Sequence, residues 1–296
     1  MRDLYGLASY YKQFESKLEL FIRNDLFSYW HIAGQSASCG FLSPFAGIYR
    51  FSDGMMENNV DKLQGYFRSL VSTFREEFEV NSFRIRLPPN GIYKFEVNSL
   101  RESLQSTAFG LYYSEIDHFI AIGDSPHKNM RRDRRRELIL GQELYVFRQV
   151  NELSDWKYAV ELLQENRFRK GITPTFSFEK ISLLAKLNPK RILVFLCEGQ
   201  DDPRSQKAAA ICQVLDSRTV YTYLWGHTKP KENLTKTSPM TFLADNLINF
   251  FTESNFKHLY LGSSSTEGRI DLGLCEFKDS LGALRTQKEI WSLTDN

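Results

Sequence analysis

The final third of the chain carries the tightest constraint on the fold. Apolar, strand-like runs flank one strongly amphipathic helix. Arg191 to Cys197 is almost entirely apolar and stops at the turn Gly199-Gln200-Asp201-Asp202-Pro203. Ala208 to Leu215 and Val220 to Trp225, joined around Asp216-Ser217, read as a hairpin. A helix opens at Ser238-Pro239 and runs to about Glu253, with Met240, Leu243, Leu247 and Phe250 on one stripe, widened by Ala244 and Phe251. His258 to Leu261 is a further strand, and Glu289 to Leu293 can close the sheet. Helices set between strands with mixed connections predict an α/β fold, a mixed sheet with helices packed on it.

Earlier in the chain, residues 7–23 read as a helix with Phe14, Leu18 and Phe21 on one face. Between Phe27 and Tyr49, Gly34, Gly40, Pro44 and Gly47 favour short strands and turns. Val60, Leu63, Phe67, Leu70, Val71 and Phe74 recur at helical spacing within residues 56–77. Phe83 to Leu87 alternates like a half-buried strand, and Phe109 to Ile122 reads as one or two more. Ser125-Pro126 marks the start of a basic helix expected to stop at Gly141, followed by a strand from Leu144 to Val150 and helices from Ser154 and Ser177. Strands, helix and strand occur in that order before residue 125 and again after residue 190. Two lobes are therefore expected: 1–124 as a divergent or shortened first lobe, 125–190 as a connecting helical segment of the second, and 191–296 as the core of the second.

Size and charge narrow the function classes. The 296 residues, 42% hydrophobic and 25% charged, are those of a globular chain, and 23 Phe with 14 Tyr fill cores and line grooves. Thirty-eight basic against 36 acidic side chains leave a net charge of +2, so anion binding must be local. Cys39, Cys197, Cys212 and Cys275 form no CxxC pair, and no metal site is expected. No stretch reads as a secretory leader or a membrane span, which predicts a reduced, cytoplasmic location.

Candidate chemistry gathers in two places. Ser125 to Gly141 holds five arginines and a lysine within nine residues. On a helix, Arg131 shares a face with Arg135 and Arg132 with Arg136, a spacing that can clamp a phosphate or carboxylate. The same run also reads as a solvated helix stiffened by an Arg134–Glu137 pair. The second place is Lys278 beside Phe277, whose ammonium can meet a carboxylate, a phosphate or a developing oxyanion. Near it, Ser263, Ser264, Ser265 and Thr266 follow a strand end and can bind a polar ligand or satisfy turn backbone. No G-x-S-x-G elbow, P-loop or G-x-G-x-x-G fingerprint occurs, and His31, His118, His127, His227 and His258 lack metal-ligand spacing. Direct transfer between two bound substrates needs no protein nucleophile, though a base such as Asp271 or Glu276 can take the acceptor's proton.

Three stretches carry a family resemblance. They are Arg131 to Arg136 with Gly141 beyond; Arg169-Lys170-Gly171-Ile172-Thr173-Pro174; and Leu261-Gly262-Ser263-Ser264 with Gly273-Leu274, Phe277-Lys278 and Gly282-Ala283. In order and spacing they resemble the Fem-like peptidoglycan aminoacyltransferases and related GNAT-fold acyltransferases, over residues from about 125 to 290. The resemblance implies double GNAT-like lobes with a cleft for an acyl acceptor. It implies Lys278 and Phe277 at the active site and the basic helix, through Arg131, Arg132 and Arg135, holding substrate; Ser263, Ser264 and Ser265, by their place after a strand end, are the further substrate-binding candidates. The implied reaction moves an aminoacyl or other acyl group onto an amine of a cell-envelope or surface-polysaccharide precursor. No cofactor is implied as tightly bound; the donor is a co-substrate, an aminoacyl-tRNA, an acyl-CoA or an acyl carrier protein. The partners implied are a phosphorylated or amino-bearing acceptor and tRNA or acyl carrier protein, without metal or transmembrane segment. One departure stands out: the Q/R-x-x-G-x-G/A loop of acetyl-CoA enzymes has no counterpart between Gly226 and Pro239, although Lys229, Lys231 and Lys236 lie there. The alternatives are an acetyl-CoA-dependent N-acetyltransferase of a small amine or amino sugar, and a non-catalytic phospho-sugar or RNA binding protein.

Overall fold

A computed structural model describes residues 17–39, 49–50, 57–92, 94–122, 128–174, 176–187, 191–200, 207–228 and 238–294. Its strands are β1 (Lys17–Arg23), β2 (Leu26–Ala33), β3 (Ser36–Cys39), β4 (Tyr49–Arg50), β5 (Ser82–Arg86), β6 (Gly110–Ala121), β7 (Tyr145–Val150), β8 (Ile192–Gly199), β9 (Ala208–Val214), β10 (Thr219–His227), β11 (His258–Ser263), β12 (Ser265–Thr266), β13 (Arg269–Ile270) and β14 (Leu284–Thr294). The helices are α1 (Val60–Phe78), α2 (Lys94–Ser106), α3 (Arg132–Leu144), α4 (Leu153–Arg169), α5 (Phe178–Leu187), α6 (Pro239–Glu253) and α7 (Leu272–Ser280). One large mixed sheet runs in the hydrogen-bonded order β1-β2-β3-β5-β14-β6-β11-β10-β9-β8-β7, with β4 beside β2 and β12–β13 as a separate hairpin. This is a mixed α/β fold, one sheet flanked by helices.

The chain forms two compact units, Met1–Asp117 with Ser265–Ile270 and Thr286–Asn296, and His118–Ser264 with Asp271–Arg285. In the first, the expected helix over 7–23 gives way: Lys17–Arg23 is strand β1, every residue of it paired with β2, and 7–16 lie outside the described residues. Asn24 at φ 56° supplies the positive φ that a two-residue hairpin turn needs, so strand pairing overrides the apolar spacing. Helix α1 forms within the expected stretch but begins at Val60, four residues later than 56, because Asn59 caps it, its Oδ1 accepting the Lys62 N–H at 3.0 Å. It buries Leu63, Tyr66, Phe67, Leu70, Val71 and Phe74. Trp30, Phe74, Phe83 and Phe109 interlock there edge-on or tilted, at centroid distances of 5.9 Å (Trp30–Phe74), 6.3 Å (Phe74–Phe83) and 6.4 Å (Phe83–Phe109). The Tyr66 hydroxyl, buried with them, sits 2.6 Å from Ser28 Oγ and donates to the Phe21 carbonyl.

The second unit is built on β7 to β11. Strands β7, β8, β9 and β10 are antiparallel neighbours, and β10 pairs in parallel with β11. Helix α6 makes the crossover between those parallel strands, as a parallel pair requires. Ser238 caps it, accepting the Met240 N–H, and Pro239 occupies its first turn. Phe195 on β8, fully buried, stacks on Phe147 at 5.4 Å and meets Phe250 and Phe251 edge-on at 5.0 and 5.8 Å. The basic helix α3 runs through Gly141 to Leu144 instead of stopping at the glycine. A Cβ at Gly141 would lie 3.2 Å from the Phe242 ring, so this glycine serves close approach of α3 to α6. Two helices that the sequence reading does not foresee, α2 and α7, complete the order. Replacing Phe195 with alanine is expected to lower the unfolding free energy by about 3–5 kcal/mol, read from the urea midpoint.

Candidate functional site

The parallel pairing of β10 and β11 is short. It joins Thr219–His258, Val220–Leu259 and Tyr221–Tyr260, and stops. Just beyond, β10 carries an irregularity between Thr222 and Leu224 in its pairing with β9, which turns it away. On the other strand Gly262 adopts φ +75°, a conformation that favours glycine, with Thr222 O 3.5 Å from where a Cβ would stand. The carboxyl ends of two neighbouring parallel strands therefore part, the place where open α/β sheets receive ligands.

Lys278 reaches this place from α7. Its side chain is fully buried, and Nζ donates to the Gly262 carbonyl at 2.5 Å and the Ser263 carbonyl at 3.0 Å. A buried ammonium is tolerated only when its protons find acceptors, and the parting of the strands exposes carbonyls to it. Asp271 caps α7 by accepting the Leu274 N–H at 2.9 Å. At the other end Gly282 takes φ +86°, and a Cβ there would fall 2.8 Å from the Asn129 carbonyl carbon. The turn before α7 thus carries a capping aspartate and the turn after it a required glycine.

A second buried chain of polar groups lies beside Lys278. His118 on β6 has no exposed surface; its Nδ1 is 3.1 Å from Ser264 Oγ and its Nε2 is 3.3 Å from Asp279 Oδ1. Arg285 grips both oxygens of Asp279 with the Nε–Nη2 edge of its guanidinium and holds its carboxyl below the usual range. The ionised Asp279, 3.3 Å from Nε2, favours the imidazole tautomer with its proton there, in which Nδ1 accepts the Ser264 hydroxyl proton. Burial, reinforced by the Lys278 charge, pushes His118 down to about 4. It is neutral at physiological pH.

The other expected residues are placed as follows. Phe277 is half-buried against Trp225 of β10, with ring centroids 5.9 Å apart. Ser263 offers its carbonyl to Lys278, Ser264 its hydroxyl to His118, and Ser265 accepts the Ile116 N–H at 2.8 Å. Arg131 pairs with Asp133 on the surface, Arg135 donates to the Lys128 carbonyl, and Arg132 is exposed. The arginine that turns inward is Arg134. It bonds Glu137 at 2.7 Å and Ser280 Oγ at 2.8 Å, and its guanidinium lies 5.4 Å from the Phe277 ring centre. Glu137 in turn accepts the Thr241 hydroxyl. Asp271 is a helix cap and Glu276 is exposed. Burial drives the Cys197 and Cys212 thiols up to about 12, which disfavours thiolate chemistry at either. Among the described residues no three His, Cys, Asp or Glu side chains are grouped as metal ligands, and residues 229–237 with their lysines lie outside the described set. His118 and Asp279 had no signal in sequence spacing, since β6 and α7 are far apart along the chain.

Comparison with known proteins gives structures only: no family model and no curated protein matches this sequence. The crystal structure of FemX superposes with a TM-score of 0.63 at 10% identity, over 98% of this chain and 91% of that one. L-PGS from Bacillus licheniformis gives 0.60 at 8% identity, over 100% and 93%. A tandem GNAT protein from the clavulanic acid biosynthesis pathway gives 0.53 at 9%, over 99% and 87%. The fold is GNAT-like and similar to that of FemX.

The neutral His118 sets a pH limit. In the unfolded chain its imidazole titrates near 6.5, and in the folded protein only near 4. The unfolded state therefore takes up the proton first. The stability that His118 contributes is complete above pH 6.5 and is lost as pH falls toward 4. The expected loss is about 3 kcal/mol. Urea unfolding of the wild type and of His118→Gln, at a series of pH values, should show this extra slope in the wild type alone.

Proposed function

We propose that this chain is an acyltransferase whose reacting groups meet where β10 and β11 part. The observation that carries this reading is the Lys278 ammonium, delivered through α7 to the ends of those strands. In this reading the acyl carbonyl of the donor lies at the strand ends and the acceptor amine attacks it. The carbon–nitrogen bond forms, the carbonyl oxygen becomes an oxyanion, and the donor's carbon–oxygen bond breaks as the amine gives up its proton to the leaving oxygen. A positive charge fixed in a low-dielectric setting beside the oxyanion lowers that barrier without reorganising. Phe277 and Arg134 position α7, and holding the two substrates together supplies much of the remaining rate.

An aminoacyl ester, as carried by tRNA, is the donor we favour over coenzyme A. The stretch His227 to Ser238 contains no glycine, and the Met240 N–H at the start of α6 is taken by Ser238. Glycine-rich backbone is what usually lets a pyrophosphate approach a helix start. An amine on a cell-envelope or surface-polysaccharide precursor is the acceptor class that fits the likeness to FemX, with the two units acting as paired GNAT-like lobes.

The test is transfer of a labelled aminoacyl group from tRNA to amine acceptors. Lys278→Ala is expected to lower turnover at least about 100-fold while circular dichroism confirms the fold. Unchanged turnover in a folded variant removes Lys278 from the reaction. Saturable thermal stabilisation by coenzyme A, with no transfer from aminoacyl-tRNA, moves the donor to the thioester class.

A further inference from the structure

The arginine run of α3 has a face that the site does not use. Arg134, Glu137 and Gly141 turn inward to α6 and α7, as their partners show. Arg132, Arg135, Arg136, Ile139, Leu140 and Glu143 recur at three- and four-residue intervals on the opposite side. The two halves of that side differ. Its first half is cationic: Arg132 and Arg136 are exposed and have no carboxylate partner among the described residues. Arg135 is also exposed, although it donates to the Lys128 carbonyl. Its second half is apolar, with Ile139 64% and Leu140 50% exposed, and Leu144 at 37% lies one turn beyond Leu140. Glu143 and Asp133, the latter paired with Arg131, are the acids on this face among the described residues.

Charge alone would explain a solvated basic helix, but three large aliphatic side chains exposed on the same helix need a cover. We propose that this outer face of α3 docks the protein onto an anionic lipid bilayer. Its aliphatic half enters the boundary between headgroups and acyl chains, and its guanidinium groups meet lipid phosphates. A duplex RNA would match the arginines and leave the aliphatics wet. An apolar protein groove would match the aliphatics and offer no counterpart to Arg132, Arg135 and Arg136. A bilayer surface answers both halves at once. The helix has 13 residues and lies along the surface; no described helix is long and apolar enough to cross a membrane.

Vesicle flotation of the full chain tests this, using phosphatidylglycerol mixed into phosphatidylcholine against phosphatidylcholine alone. Binding to the mixed vesicles, weakened by salt, is the expected result. The double variants Arg132→Glu/Arg136→Glu and Ile139→Ser/Leu140→Ser should each reduce it at least about tenfold, with thermal unfolding unchanged because these side chains face outward. Leu140→Trp should shift its fluorescence to the blue on the mixed vesicles. No binding, equal binding to neutral vesicles, double variants that bind like the wild type, or stronger binding to a duplex RNA competitor would each overturn the assignment. So would a dimer in solution that Ile139→Ser/Leu140→Ser dissociates.

Discussion

The bond from Lys278 Nζ to the carbonyls of Gly262 and Ser263 is the contact on which the geometry of the second unit turns. Parting two parallel strands is costly because ladder groups lose partners inside the protein. Here a side chain from the following helix takes up two of those carbonyls, so the strand ends stay open without being left unsatisfied. The arrangement holds only if α7 arrives at the right height. Its start is set by Asp271 and its end by the left-handed Gly282, where the Arg131 N–H also donates to the Ser280 carbonyl. Cap, lysine and glycine act as one device.

The buried His118 belongs to the same device from the other side. An imidazolium there would stand close to the Lys278 charge in a poorly solvated place, and repulsion with burial keeps the ring neutral. Asp279, one residue after the lysine, compensates through Arg285 at the surface. Opposite charges are therefore graded along the end of α7, with the cation inside and the ion pair outside. Arg134 extends the pattern by tying α3 to Ser280 while its guanidinium lies over Phe277.

Much of the architecture was legible in the chain because local period and tertiary role agree. The stripe of Met240, Leu243 and Leu247 is buried on α6, and the hairpin around Asp216-Ser217 appears as β9 and β10. Lys17–Arg23 shows the opposite case, since apolar spacing that suits a helix was decided by pairing with β2 and by the Asn24 turn. Helix α7 is short, and its capping signals at Asp271 and Gly282 are easily taken for loop residues. At the candidate site, the positions of Lys278 and Phe277 follow from their own local segment. The His118–Ser264–Asp279 chain could not be read in advance, because it depends on which strand lies next to β11. The arginine run could be read as an anion clamp or as a solvated helix with an Arg134–Glu137 pair; that pair forms, Arg134 ties inward to Ser280, and the other arginines stay exposed.

Strand β14 has a consequence for biosynthesis. It is hydrogen-bonded between β5 and β6, although both of those are made more than 150 residues earlier. A nascent polypeptide that has not yet reached Leu284 must therefore hold two unsatisfied sheet margins side by side on the ribosome. The first unit can finish folding only after the second has been almost entirely translated, so termination just before that point leaves the first unit open while the second is nearly complete.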